Sequence, residues 1–556
     1  MPNLQKERDF IMRKTNLTRC LALALAASMM LGGCGGSTAE TTAAAAPAAT
    51  EAAAAGETKA AETQAAAPEA AAYQIEVNVA ITANPPSLDV HAVNSNIVGG
   101  IGTHIYEPLF AMNANYEPTA VLAESYEVSE DGKVYTIKLR QGIKFHNGQE
   151  MAADDVVASM TRWLEKSGKA KALLDGTVFE KVDDYTVTMT VPEAYADVMT
   201  VLAASIQFAA ILPKSAIDSA TEEGITEYIG TGPYKLNEWK QDQYVQLVAN
   251  PDYQVTTEEP SGFTGIKTAA TETIYFRVVT DNATRIAGVQ TGEYDIAESI
   301  PLEQYKEVAA DTNLTVPTKT AGTLNLFFNT TKGALANETM RQAVLAALNC
   351  EDIMLAAYGD ADLYTLNPGW CNPKDAQWGS DAGKEYYSQN DVEKAKKLLE
   401  EAGYNGEKVV LVTTPDYSEM YNATLVVQAQ LVAAGINAEV ESYDFSTFME
   451  HRANTDQFDL FITSNSYNML PVQLTVLGTA WAGLDRPEIG EGINAIRSAA
   501  TTEEASAAWD ELQTFLYEYG AASVLGHYSS AIAVSNNVAD FDNFHYPVYW
   551  NVTVAE

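Results

Sequence analysis

Basic residues are scarce in this 556-residue sequence: 34 Lys and Arg stand against 74 Asp and Glu, a formal charge of −40 with histidine neutral. Such a surface repels polyanions, and no basic stripe interrupts it. That excludes a nucleic-acid binder, because phosphate neutralisation supplies most of the affinity in those complexes. Histidine is limited to His91, His104, His146, His451, His527 and His545, and no two of them fall at a metal-ligand spacing. Neither a phosphate-binding G-x-x-x-x-G-K-[ST] loop nor a G-x-S-x-G elbow occurs, and Gly99, Gly100 and Gly102 lack the third glycine of a dinucleotide fingerprint. The sequence thus gives no motif for a metal, a cofactor or a catalytic centre. Neighbouring acids such as Asp154-Asp155 and Glu400-Glu401 fall on expected helix starts or solvated faces, where capping and solubility account for them. Carboxylates distant in sequence escape this test, so a secreted hydrolase is the rival reading. Long apolar runs are absent beyond the N-terminal region. What remains, 47% hydrophobic and 19% charged residues, describes a globular chain long enough for two to four domains.

The N-terminal region reads as an address. Met12-Arg13-Lys14-Thr15-Asn16-Leu17-Thr18-Arg19 is a positive segment, and an apolar stretch follows from Cys20 to Leu31, so residues 1–33 are expected to be an export signal. Leu31-Gly32-Gly33-Cys34 resembles the lipobox of bacterial lipoproteins, in which a peptidase cuts before the cysteine and its sulfur is lipidated; Cys34 is the expected lipidation site. Cleavage would remove five basic and two acidic side chains, a net +3, and leave the remainder near −43. It would also remove Cys20, so the folded part keeps Cys350 and Cys371. These either pair in an oxidising compartment or stay as two reduced, buried thiols. Residues 37–72 hold 19 Ala in 36 positions and no aromatic, with Pro47, Gly56 and Pro68 against any helix, so 34–72 is expected to be the lipidated cysteine and a disordered tether. The expected location is the outer face of the bacterial cytoplasmic membrane, with the lipid as the only membrane attachment. A molecule held there receives something from outside but cannot transport it alone.

The body begins with period-2 alternation in Tyr73-Gln74-Ile75-Glu76-Val77-Asn78-Val79-Ala80-Ile81, which predicts a strand. Ala123 to Val128 and Val134 to Leu139 flank Glu130-Asp131-Gly132-Lys133 and predict a hairpin. Asp154 or Asp155 is expected to cap a helix with Val156, Val157, Met160 and Trp163 on one face, and a second strand pair is expected between Phe179 and Val191. From Asp391 to Ser442 the pattern predicts a helix ended by Gly403, a strand Lys408 to Thr413, a helix Ser418 to Ala434 stopped by Gly435, and a strand from Ile436, a unit that should be right-handed and parallel. Phe458 to Thr463 reads as a further strand. Because ligands of open α/β sheets bind beyond strand carboxyl ends, Ser464-Asn465-Ser466-Tyr467, leaving that strand, becomes a candidate site. Aromatics are plentiful, and Tyr364, Trp370, Trp378, Tyr467 and Trp481 fall in Gly/Pro/Asn-rich segments where they can line a cleft.

Ordered blocks along the body resemble a known family. They are Tyr106-Glu107-Pro108-Leu109, Leu122 to Gly132, Tyr135 to Arg140, Phe145-His146-Asn147-Gly148, Ala153 to Val156, Gly230-Thr231-Gly232-Pro233-Tyr234, Asn250-Pro251-Asp252-Tyr253, Gly292-Glu293-Tyr294-Asp295, Arg341-Gln342-Ala343 and Lys394 to Tyr404. Together they are similar to the extracellular solute-binding proteins of the peptide/nickel class that feed ABC importers, over nearly all of 73–556. The resemblance implies a two-lobed α/β, periplasmic-binding-protein-like fold (type II, cluster C) with hinge strands. Lobe I would span 73–282 and 525–556, with an inserted subdomain at about 112–203, and lobe II would span 283–524. It implies a non-enzymatic, monomeric binding protein that delivers a small solute (peptide, sugar, opine or metal chelate) to permease and ATPase subunits; presentation to a receptor is a further alternative. Asn96, Tyr364, Trp370, Asn465, Ser466, Tyr467 and Trp481 are the candidate ligand contacts. Peptide-binding members carry an acid shortly after the Phe-Asp strand, whereas Ser464 to Asn468 offer amides and hydroxyls. An α-ammonium held there would lack its counter-charge.

Overall fold

A computed structural model describes residues 74–555 apart from 254, 255, 257 and 483. The expected signal, Cys34 and the tether lie outside the described residues. Three sheets organise the body. A seven-stranded sheet runs, in spatial order, Leu314–Thr315, Ala533–Ser535, Ile296–Ala297, Glu76–Ile81, Thr273–Val278, Tyr244–Ala249 and Tyr234–Lys240. A six-stranded sheet runs Tyr364–Thr365, Ala522–Ala531, Thr318–Phe328, Leu460–Ser466, Val409–Thr413 and Ala438–Ser442. Four strands between Ala123 and Thr190 make a separate antiparallel sheet inside the expected insert.

The local patterns act as physics requires. Glu76–Ile81 alternates because one set of its side chains enters the core, Val77 and Val79 being fully buried. The hairpin Ala123–Val128/Val134–Leu139 closes through Gly132 at φ 71°, a left-handed turn conformation that glycine adopts without strain. Helix Ala153–Lys166 buries Val156, Met160 and Trp163 completely. Its N-cap, however, is Ala152 rather than an aspartate. Asp155 sits one turn in and reaches back to accept the Ala152 N–H at 3.0 Å, and it also accepts Lys214 N–H at 2.7 Å, so the carboxylate joins two helix starts. The β-α-β unit pairs Val409–Thr413 parallel to Ala438–Ser442 across helix Ser418–Ala434, which Gly435 ends at φ 98°.

Two expectations change. The strand expected to stop at Thr463 continues to Ser466, because Asn465 and Ser466 pair with Thr323 and Gly322 of the central strand. The candidate segment is therefore mostly strand, with only Tyr467 beyond it. The chain crosses from the seven-stranded to the six-stranded sheet between Thr315 and Thr318, and returns between Ala531 and Ala533. Residues 283–315, assigned in sequence to the second lobe, thus put strands into the first sheet, since Ile296–Ala297 pairs with Val79 and Ala80. The two crossings run side by side, Thr318 facing Ala531.

Candidate ligand-binding cavity

Loops and strand ends from the two large sheets enclose a cavity of about 410 Å³, within the range of small-molecule sites. From the first sheet it receives Ile81 and Thr82 at the carboxyl end of Glu76–Ile81, and Glu298 just past Ile296–Ala297. These are the positions where open α/β sheets bind ligands. From the second come Lys319, Thr320, Ala321, Ser466 and Tyr528, and a C-terminal segment adds Asn543, His545, Tyr546 and Tyr549.

Second-layer contacts fix the aromatic walls. His104 donates Nδ1–H to Gly100 O at 2.9 Å and accepts Tyr549 N–H through Nε2 at 3.0 Å, an assignment set by the two partners. Burial lowers the His104 pKa to about 4, which keeps the ring neutral for that double duty. Gly99 explains part of its glycine cluster: a Cβ there would meet Tyr546 Oη at 2.5 Å, so the helix packs closely against a cavity tyrosine. Tyr467 is held through its hydroxyl, which donates to His527 Nδ1 while Nε2–H donates to Asn367 O at 3.2 Å.

Three charged groups line the cavity. Glu298 accepts the Tyr549 hydroxyl at 2.6 Å, and burial raises its pKa. Asp375 accepts Gln377 and Trp378 N–H at 2.9 and 3.0 Å, and burial pushes its pKa up to about 6. Lys319 donates to His545 O at 2.6 Å, and burial lowers its pKa to about 8. Amides complete the wall, including Asn372, which donates to the Tyr116 hydroxyl at 2.9 Å.

Of the sequence candidates, Asn96, Ser466 and Tyr467 line this cavity. Trp370 and Asn465 face a neighbouring void of about 10 Å³, too small for a solute, and Asn465 accepts Asn325 Nδ2–H at 2.8 Å. Tyr364 lies outside the cavity lining and donates to Glu351 at 2.7 Å. Trp481 packs edge-on to Phe327 at 5.3 Å, with the Arg452 guanidinium 4.2 Å from its ring. Both are held by partners on the second-sheet side, where loop composition gave no sign of them. Cys350 and Cys371 are unpaired, buried thiols. The segment after the Phe-Asp strand brings no acid to the cavity; its two carboxylates, Asp375 and Glu298, come from elsewhere in the chain, and no sequence motif marked them. No helix among the described residues is long and apolar enough to cross a membrane.

Comparisons with known proteins agree with this geometry. The probable peptide ABC transporter periplasmic-binding protein y4tO of Sinorhizobium fredii is 28% identical over 477 residues, covering 81% of this chain and 88% of that protein. The glutathione-binding protein GsiB of Salmonella paratyphi A is 30% identical over 374 residues, covering 66% and 70%. The crystal structure of the ABC transporter substrate binding protein CtaP of Listeria monocytogenes superposes with a TM-score of 0.73 at 21% identity, over 84% of this chain and 95% of that one. The model of bacterial extracellular solute-binding proteins, family 5 (middle region), matches residues 117–480, and with the two-sheet architecture and its shared cavity this establishes that the chain belongs to that family.

Proposed function

We propose that this chain is the capturing subunit of an ABC importer: it takes one small solute into the 410 Å³ cavity and hands it, chemically unchanged, to a permease whose transport is driven by separate ATPase subunits. The observation that carries the reading is a cavity whose walls come from both large sheets. A solute touching both walls binds the closed arrangement better than an open one, and that difference in affinity is what shifts a two-state equilibrium. The paired crossings at 316–317 and 532 are the natural hinge, with 74–315 and 533–555 on one side and 318–531 on the other. Cys34 carries the lipid in this reading, the body works as a monomer outside the cytoplasmic membrane, and Asn96, Ser466 and Tyr467 touch the solute. The relatives' names put peptides and glutathione first among candidates, with sugars and metal chelates after them.

A thermal-shift screen of those classes tests it, since a ligand of the native state alone stabilises by about 2.7 kcal/mol at a hundred times its Kd. At least one class should raise the melting temperature with a saturable dose dependence. Turnover of a screened compound, or no stabilisation by any class, would refute it.

A further inference from the structure

Lys319 differs from the other charged groups of the cavity in what it lacks. Glu298 is satisfied by a tyrosine hydroxyl and Asp375 by two backbone N–H groups. The Lys319 ammonium has one acceptor, the His545 carbonyl oxygen, and among the described residues no carboxylate reaches ion-pair distance and no other acceptor takes its two remaining protons. In a chain of net charge −40, a cation that shares a cavity with Glu298 and Asp375 yet has neither carboxylate at ion-pair distance is a costly arrangement. Asp542 is the acid felt there, while His545 is kept neutral by burial and by the fields of Lys319 and Lys169.

Resting on the capture reading above, we propose that the transported solute bears an oxyanion, carboxylate or phosphate, and that Lys319 is the residue that seats it. The anion supplies the missing acceptors, and charge-assisted bonds of this kind are the strong ones. A neutral sugar offers hydroxyl oxygens as acceptors but no counter-charge, so the ammonium would stay electrostatically uncompensated. A seated anion also restores the charged form: burial holds free Lys319, like Lys169, near a pKa of about 8, so affinity should fall as pH rises through 8. On the acid side, Asp375 protonates near 6, which removes a negative neighbour, and burial raises the Glu298 pKa in the same direction, so affinity for an anion does not fall there.

Calorimetry on the purified chain with paired probes tests the proposal: trialanine and its C-terminal amide, glucuronate and glucose, glycerol phosphate and glycerol. In at least one pair the anionic member should bind about tenfold or more tighter than its neutral partner. Lys319→Met should erase that gap and Lys319→Arg should keep it, both variants melting cooperatively. The first two pairs against the third distinguish carboxylate from phosphate. If neutral members bind as tightly, or Lys319→Met leaves the gap intact, the oxyanion assignment falls while solute capture stands. If no probe binds at all, both fall.

Discussion

Arg341 is fully buried and spends its guanidinium on carbonyls. Nε donates to Gly520 O at 2.8 Å, Nη1 to Leu335 O and Ala336 O at 2.8 and 3.1 Å, and Nη2 to Tyr519 O at 2.7 Å. These carbonyls end helix Thr502–Tyr519 and a short helical turn, where unpaired C=O groups attract a cation. A lysine would keep the charge but not the fork. Arg341→Lys should therefore lose about 2–4 kcal/mol of stability in urea denaturation, through buried carbonyls left unsatisfied; a change below about 0.5 kcal/mol would refute the role. The sequence pointed at Arg341-Gln342-Ala343 without giving this reason, because two of the four partners, Tyr519 and Gly520, lie 178 and 179 positions away. Lys319, Asp375 and Glu298 were illegible for the same cause. A charged residue in a polar stretch looks solvated until the fold turns it inward.

Elements were legible where periodicity is local. The β-α-β unit, the hairpin at Gly132 and the strand Glu76–Ile81 follow from spacing and turn residues alone. What escaped was pairing across distance, as where Gly322 and Thr323 carry the strand on to Ser466. The family-like blocks gain their meaning only at this scale. Glu107 accepts Thr231 Oγ1–H, the Tyr253 hydroxyl and Lys267 Nζ–H at 2.9, 2.9 and 2.8 Å, so one buried carboxylate ties its own block to two others, away from the large cavity. Another long-range tie joins the insert to helix Pro487–Ser498. Arg497 lies 3.3 Å from Asp197, stacks 4.0 Å over the Tyr195 ring and donates to Leu173 O at 2.5 Å. Burial raises the Asp197 pKa and Arg497 offsets it. Arg497→Ala should cost about 3–5 kcal/mol by stranding a buried carboxylate, whereas Asp197→Asn combined with Arg497→Met should recover most of it. A double-mutant cycle measures that coupling, and additive losses would sink the pairing.

Over the whole molecule, burial is the leading cause that holds five of the six histidines neutral. It lowers His91, His104, His146 and His527 to about 4 and His545 to about 3. Their partners are fixed by neutrality, as at His104 and His527 beside the cavity. The unfolded chain protonates these rings near 6.5, so between there and about 4 it binds more protons than the native state, and stability falls as pH falls. Each ring gives up about 1.4 kcal/mol for every pH unit traversed in that window. Acids with raised pKa values act in the opposite sense, Asp375 below about 6, and burial raises Glu298, Asp197, Asp295, Asp459 and Glu419 as well; they blunt the loss from the five imidazoles without reversing it. The melting temperature should therefore drop from pH 7 to pH 5. Calorimetric unfolding at pH 6, repeated in buffers of different ionisation heat, should register a net uptake of protons. Net release at that pH, or a melting temperature that climbs on acidification, would mean that the histidines are already charged in the folded protein, and with that the hydrogen bonds positioning Tyr549 and Tyr467 would have to be redrawn.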